Sequence, residues 1–198
     1  MAINSELRLP RPHQRPSKMT SVLHIEDFCA AVGAIVGNHS ECDVPARIAA
    51  RLPELLADSK LLRPDQKTLP AEGYGRHEVF LCPGDTFSII AAVWPPGYAS
   101  PIHDHMTWCA FGVFEGIVQE TRFRPAAADA ACTDAVAVAV NRWLPGQAGS
   151  LPVGGGDIHC MYNPGERPAV SVHVYGGNSA KLGPNVVKIY RETARTLA

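Results

Sequence analysis

From Ser21 to about Leu62 the apolar positions follow a helical period. Leu23, Ile25, Phe28, Ala31 and Val32 fall on one side of a predicted first helix. In a second run Ile48, Ala49, Leu52, Leu55 and Leu56 share a face; Asp43 is placed to cap it, and Pro45 falls in its first turn, where a missing N–H costs nothing. Pro53 is expected to bend or shorten this second helix. After Pro70 the texture changes. Glu78–Cys82, Thr86–Trp94, Cys109–Phe114, Ile117–Phe123, Ala135–Val140, Ala169–Tyr175 and Val186–Tyr190 are short, rich in Val, Ile, Phe and Tyr, and separated by Gly or Pro, which predicts at least seven strands. No alternation of strand and helix follows residue 70, so the pattern predicts an antiparallel sandwich or barrel and not a parallel sheet. The alanine-rich Pro125–Ala139 reads equally as a loop leading into a strand or as a short helix, and no internal repeat occurs.

Composition narrows this picture. A chain of 198 residues suits one well-buried domain. The expected division is an extended arm over 1–20 and a single domain over 21–198, with a helical segment at 21–65 and a β-barrel at 70–198. Hydrophobic residues at 46% and charged ones at 19% exclude a disordered or fibrous chain. With 18 Lys and Arg against 19 Asp and Glu, the charge balance points away from nucleic acid and anionic membranes and towards a small-molecule partner. The six cysteines form no Cys-x-x-Cys pair or dense framework and are read as mostly reduced. The first twenty residues carry Arg8, Arg11, Arg15 and Lys18 without the apolar run of a signal peptide, and no stretch reaches the length of a membrane span. The expected address is the cytoplasm, and the expected state a monomer or small homo-oligomer.

The sharpest chemical signal is His103-Asp104-His105. On a strand, residues two apart project to one face, so both imidazoles can point at one metal ion while Asp104 turns away. Such a pair alone is more often a hydrogen-bonded surface pair than a metal site. Its surroundings change the odds. From Gly97 the chain runs through His103, His105 and Cys109 to Gly116 with the spacing of the first cupin signature, in which the Cys109 position is usually a glutamate. Gly156-Asp157-Ile158-His159-Cys160-Met161-Tyr162-Asn163 resembles the second, Gly-x-x-His-x-x-x-Asn.

A closer resemblance covers roughly residues 70 to 190. Tyr74-Gly75-Arg76, Ser100-Pro101-Ile102-His103-Asp104-His105, Cys109, Gln119-Glu120-Thr121 and Pro168 to Tyr175 stand in the same order as in cysteine dioxygenase, of the cupin superfamily. The resemblance implies a mainly β, cupin-type antiparallel barrel, jelly-roll-like, behind an N-terminal helical segment. It implies a mononuclear non-haem ferrous ion held by His103, His105 and His159, a Cys109–Tyr175 thioether beside it, and a reaction of L-cysteine with O2 to cysteine sulfinic acid. Aligning Cys109 requires one gap after His105.

Where iron oxygenases often use two histidines and a carboxylate, this site would leave the ion its full charge for a substrate thiolate. The resemblance gives Arg76, with Tyr74, to the substrate: a guanidinium grips a carboxylate through two parallel hydrogen bonds. Arg76 favours cysteine, whereas Gly176-Gly177-Asn178, in place of the family's Ser-Pro-Pro, is closer to the branch that oxidises 3-mercaptopropionate. Ser171, His173 and Tyr175 alternate along one strand and share a face; the resemblance makes them a hydrogen-bonded relay, which leaves His173 outside the ligand set. Ordinary core packing is the plain alternative for these three. Trp94, Trp108 and Trp143 are read as core or pocket wall. Two other readings stay open: a 3-mercaptopropionate dioxygenase, and a metal-binding cupin without turnover. A zinc or nickel isomerase or hydrolase is disfavoured, since no glutamate occupies the usual ligand position.

Overall fold

The structure is a computed structural model that describes residues 22–129, 131–153 and 157–193. The arm expected over 1–20, Ser21 at the start of the helical segment and Gly156 of the second signature lie outside these residues. The predicted helices form as α1 (Ile25–Asn38) and α2 (Val44–Leu56). Asp43 occupies the cap position of α2, but its backbone is already helical and its side chain makes no capping bond; the carboxylate accepts from Ser40 Oγ at 2.8 Å. Pro45 lies in the first turn as predicted, and the helix continues beyond Pro53 to Leu56.

A short 3-10 turn (Pro64–Lys67) leads into ten strands. They are β1 (Gly75–Leu81), β2 (Phe87–Trp94), β3 (Ile102–His105), β4 (Cys109–Glu115), β5 (Val118–Pro125), β6 (Asp134–Trp143), β7 (Ala148–Leu151), β8 (His159–Tyr162), β9 (Ala169–Gly176) and β10 (Val186–Glu192), with a single helical turn, α3 (Ser179–Leu182), before the last. In the stretch Pro125–Ala139 the described residues between β5 and β6 form a loop that runs into β6, and Ala130 lies outside the described residues. Beyond the seven strands predicted are β3, β7 and β8, each of four residues. Their sequences, Ile-His-Asp-His, Ala-Gly-Ser-Leu and His-Cys-Met-Tyr, lack the apolar run that marks the others.

The strands form two groups of five. One sheet has the order β1-β2-β9-β4-β7, and the other, β10-β3-β8-β5-β6, closes on itself. Pairing is antiparallel except at the closure, where β6 and β10 run parallel through Arg191–Asp134 and Glu192–Ala135. The jelly-roll-like barrel with a helical N-terminal segment thus forms, with one short parallel contact that the antiparallel expectation lacked. That contact arises from ring closure, which needs no βαβ crossover.

Both helices cover the outer face of the first sheet. Phe28, Val32, Ile48, Leu52 and Leu55 pack with Phe87, Ile89, Ala91 and Val93 of β2 and with Val170, Val172 and Val174 of β9. α2 approaches β4 so closely that a Cβ on Gly112 would meet Leu56 Cδ1 at 2.5 Å. β2 is buried on both faces, which explains its nearly continuous apolar run. The inner residues of the same strands, among them Ala92, Trp94, Cys109 and Phe111, face the second sheet and build the cluster beside the site.

Candidate metal centre

Period-two alternation on β3 puts His103 and His105 on one face. Asp104 turns away, accepting Lys188 N at 2.6 Å and the Tyr190 hydroxyl at 2.9 Å, and so ties β3 to β10. On the other side β3 pairs with β8, where His103 and His159 are direct cross-strand partners. The three rings form a near-equilateral triangle with centroids 4.8, 4.8 and 4.9 Å apart. Their donor atoms all lie within 4.8 Å of one another, close enough to hold one metal ion.

The far nitrogens explain the orientation. His103 Nδ1 donates to Pro101 O at 2.9 Å, and His159 Nδ1 to Glu120 Oε1 at 3.3 Å, so Nε2 of each is left as the acceptor. His105 is held by its backbone, whose N–H donates to Asp157 Oδ2 at 2.8 Å, with Nδ1 3.7 Å from the same oxygen. Burial, reinforced by the neighbouring histidines, pushes the His103 pKa down to about 3. Burial likewise lowers His159, against the pull of Glu120. Imidazoles kept neutral in this way retain the lone pair that a metal needs.

Glu120 is the residue that sequence reasoning missed. It is fully buried on β5 and accepts from Trp143 Nε1 and Asn141 Nδ2, each at 3.2 Å, besides His159. Burial opposes its charge, but His159 and the Arg122 guanidinium, 3.1 Å away, outweigh this and hold the carboxyl below its ordinary range. A signal existed: Val118, Glu120 and Arg122 alternate inward, so a carboxylate stands at a core position of a strand. Asp157 carried no such mark. Asn163, the last residue of the second signature, is buried and structural, donating to Trp94 O at 2.9 Å and Arg167 O at 2.8 Å.

Across the cavity, β9 presents Ser171, His173 and Tyr175 in a line. Trp94 Nε1, which can only donate, reaches Ser171 Oγ at 2.7 Å, and Ser171 Oγ lies 2.8 Å from His173 Nε2. His173, neutral through burial, also has Nδ1 3.3 Å from the Tyr175 hydroxyl, so its one ring proton serves one of these two contacts and its lone pair accepts at the other. Cys109 on β4 is the direct cross-strand partner of Tyr175, with Sγ 3.8 Å from His173 Nδ1. Burial raises both the Cys109 and Tyr175 pKa values, so both stay protonated.

That cavity measures about 650 Å³, and His103, His159, His173, Tyr175, Arg76 and Tyr74 all line it. Tyr74 stacks on Trp94 with centroids 4.9 Å apart. No acidic side chain lines the cavity among the described residues. Arg76 Nη1 donates to Gly183 O at 2.9 Å. Of the other tryptophans, Trp108 packs in the core under the helices, and Trp143 reaches the site through Glu120. Cys160 points to Ser100 O at 3.1 Å and does not line the cavity.

A family model described as cysteine dioxygenase type I matches residues 64–180. Among solved structures the chain is similar to a sugar phosphate isomerase from a cupin superfamily of Silicibacter pomeroyi, with 21% identity over 47% of this chain and 52% of that one and a TM-score of 0.36. The chain thus spans about half the length of that protein. It is also similar to a protein from Thermus thermophilus, with 19% identity, 60% and 91% coverage and a TM-score of 0.43. An uncharacterised conserved protein with a double-stranded β-helix domain from Klebsiella pneumoniae shows 16% identity, 68% and 100% coverage and a TM-score of 0.45.

Proposed function

The chain belongs to the cysteine dioxygenase type I family, and on that premise we propose that it is a non-haem iron thiol dioxygenase that converts L-cysteine and O2 to cysteine sulfinic acid. The observation that carries this is a triangle of imidazoles, two of whose corners, His103 and His159, line the same cavity as an arginine with N–H groups to spare. Three imidazoles fit a mononuclear divalent ion such as iron, and His103, His105 and His159 would hold it. When bound, the ion supplies the charge that lowers the substrate thiol's pKa and brings dioxygen to sulfur, both oxygen atoms ending in the sulfinate.

The chain's own residues do the rest. Arg76, with Nη1 engaged by Gly183 O, keeps further N–H groups for the substrate carboxylate. Tyr74, stacked on Trp94, walls the same end of the site. Ser171 and His173 fix the Tyr175 hydroxyl, which offers a hydrogen bond to bound thiol or dioxygen. Cys109 and Tyr175 join as a thioether, losing the thiol hydrogen and one ring hydrogen, with dioxygen as the oxidant.

A specific observation favours 3-mercaptopropionate as the second substrate: among the described residues the cavity offers no carboxylate to an ammonium group. Dioxygen uptake by ferrous-loaded protein, with assay of the sulfinate formed from each thiol, decides between them. Faster uptake with cysteine supports the proposal, and the Arg76→Gln variant should then raise KM for cysteine roughly tenfold or more. Preference for the mercapto acid would transfer the assignment to it. No uptake with either would leave a metal-binding protein without turnover.

A further inference from the structure

Granting that Arg76 binds a substrate carboxylate as proposed above, we infer that Asn178 is a positioning residue that fixes the Arg76 guanidinium through α3 and the Gly183 carbonyl. Arginine has a long, rotamer-rich side chain, and two-point recognition of a carboxylate requires the fork to be held. Here the hold comes from Gly183 O, 2.9 Å from Nη1. Gly183 ends α3 at φ 63 and ψ −130, a backbone state that glycine reaches without strain and that sets where its carbonyl points. A helix of four residues is too short to hold its own shape, so something outside must fix it.

Asn178 supplies that fixation from both ends of its amide. Its Oδ1 accepts Ala180 N at 2.9 Å and Lys181 N at 3.3 Å, and its Nδ2 donates to Asp85 Oδ1 at 2.8 Å. Asp85 sits in the β1–β2 turn, on the same hairpin that carries Arg76. Two further bonds run alongside, one between backbone groups, from Gly177 N to Thr86 O at 2.9 Å, and one from Ser179 N to the Ser88 side-chain Oγ at 3.2 Å. Asp85 also pairs with Lys181, whose side chain is 73% exposed, so the pair adds little. Asn178 is only 8% exposed, and its bond carries the tie. The connection therefore forms a closed circuit from β1 through the turn, Asn178, α3 and Gly183 back to Arg76. Gly177 at φ 83 cannot be proline, so where Ser-Pro-Pro would stiffen the chain covalently, Asn178 does it by hydrogen bonding.

The test is a double-mutant cycle on iron-loaded protein. It reads equilibrium binding of L-cysteine under nitrogen by calorimetry, KM and kcat from dioxygen uptake, and iron content. Asn178→Ala should weaken cysteine binding and raise KM roughly tenfold, with kcat and iron content changed less than about twofold. In the Arg76→Gln background the same substitution should cost nothing further. Asn178→Asp keeps the cap of α3 but sets a second carboxylate against Asp85 in place of the donor; it should weaken binding as well, and adding Asp85→Asn, which exchanges donor and acceptor, should restore it. Additive losses in the cycle, a fall in kcat and iron with KM unchanged, no rescue by the exchange, or a wild-type protein that does not bind cysteine would each overturn the inference. Tight binding without dioxygen uptake would strike the dioxygenase assignment alone, because the coupling is read from binding.

Discussion

At the scale of single residues, Glu120 decides how well His159 can serve. Its carboxylate is buried, charged and aimed at His159 Nδ1, so it sets the ring's tautomer and raises its basicity as a donor. Glu120→Gln keeps the volume and removes the charge; metal affinity should fall about 10- to 100-fold, measured by competition with a chelator. Unchanged affinity would mean that Glu120 serves only Arg122 and the strand. Cys109 and Tyr175 stand directly opposite on β4 and β9, with raised pKa values. After turnover with iron, thiol and dioxygen, intact-protein mass should show a fraction lighter by a pair of hydrogens, absent from Cys109→Ala. A Cys109→Ala protein that shows the same fraction would place the modification elsewhere.

At the scale of elements, turns hold the strands in the register the site needs. Gly116 separates β4 from β5 at φ 75, and a Cβ there would lie 2.9 Å from Ala169 Cα at the start of β9. Gly116→Ala therefore meets both strain and backbone, and should lower unfolding free energy by about 1–3 kcal/mol, read from the urea midpoint. An unchanged midpoint would show that the turn relaxes freely. The apolar pattern made α1, α2 and the long strands legible. Of the three strands it missed, β7 is short and built of small residues, while β3 and β8 give their few positions to histidine and cysteine, so there the periodicity that marks a strand is displaced by the site itself.

At the scale of the whole molecule, a metal ion would bridge β3 and β8 from within the second sheet, so binding and stability are linked. With free ferrous ion at a hundred times its dissociation constant the folded state gains about 2.7 kcal/mol, a rise of roughly 5 to 10 °C in Tm by calorimetry, lost on chelation. A Tm indifferent to metal would remove the histidine triangle as its binding site. The helical segment, the β character of the remainder and the common face of His103 and His105 were readable from the residues alone, because each depends only on spacing along a regular backbone. His159 and Arg76 were legible through motif resemblance, not through periodicity. What each of them touches emerges with the folded chain. Glu120 meets His159 across 39 residues, Arg76 meets Gly183 across 107, and Asn178 meets Asp85 across 93. Contacts of that kind depend on strand register and sheet closure, which local spacing does not encode.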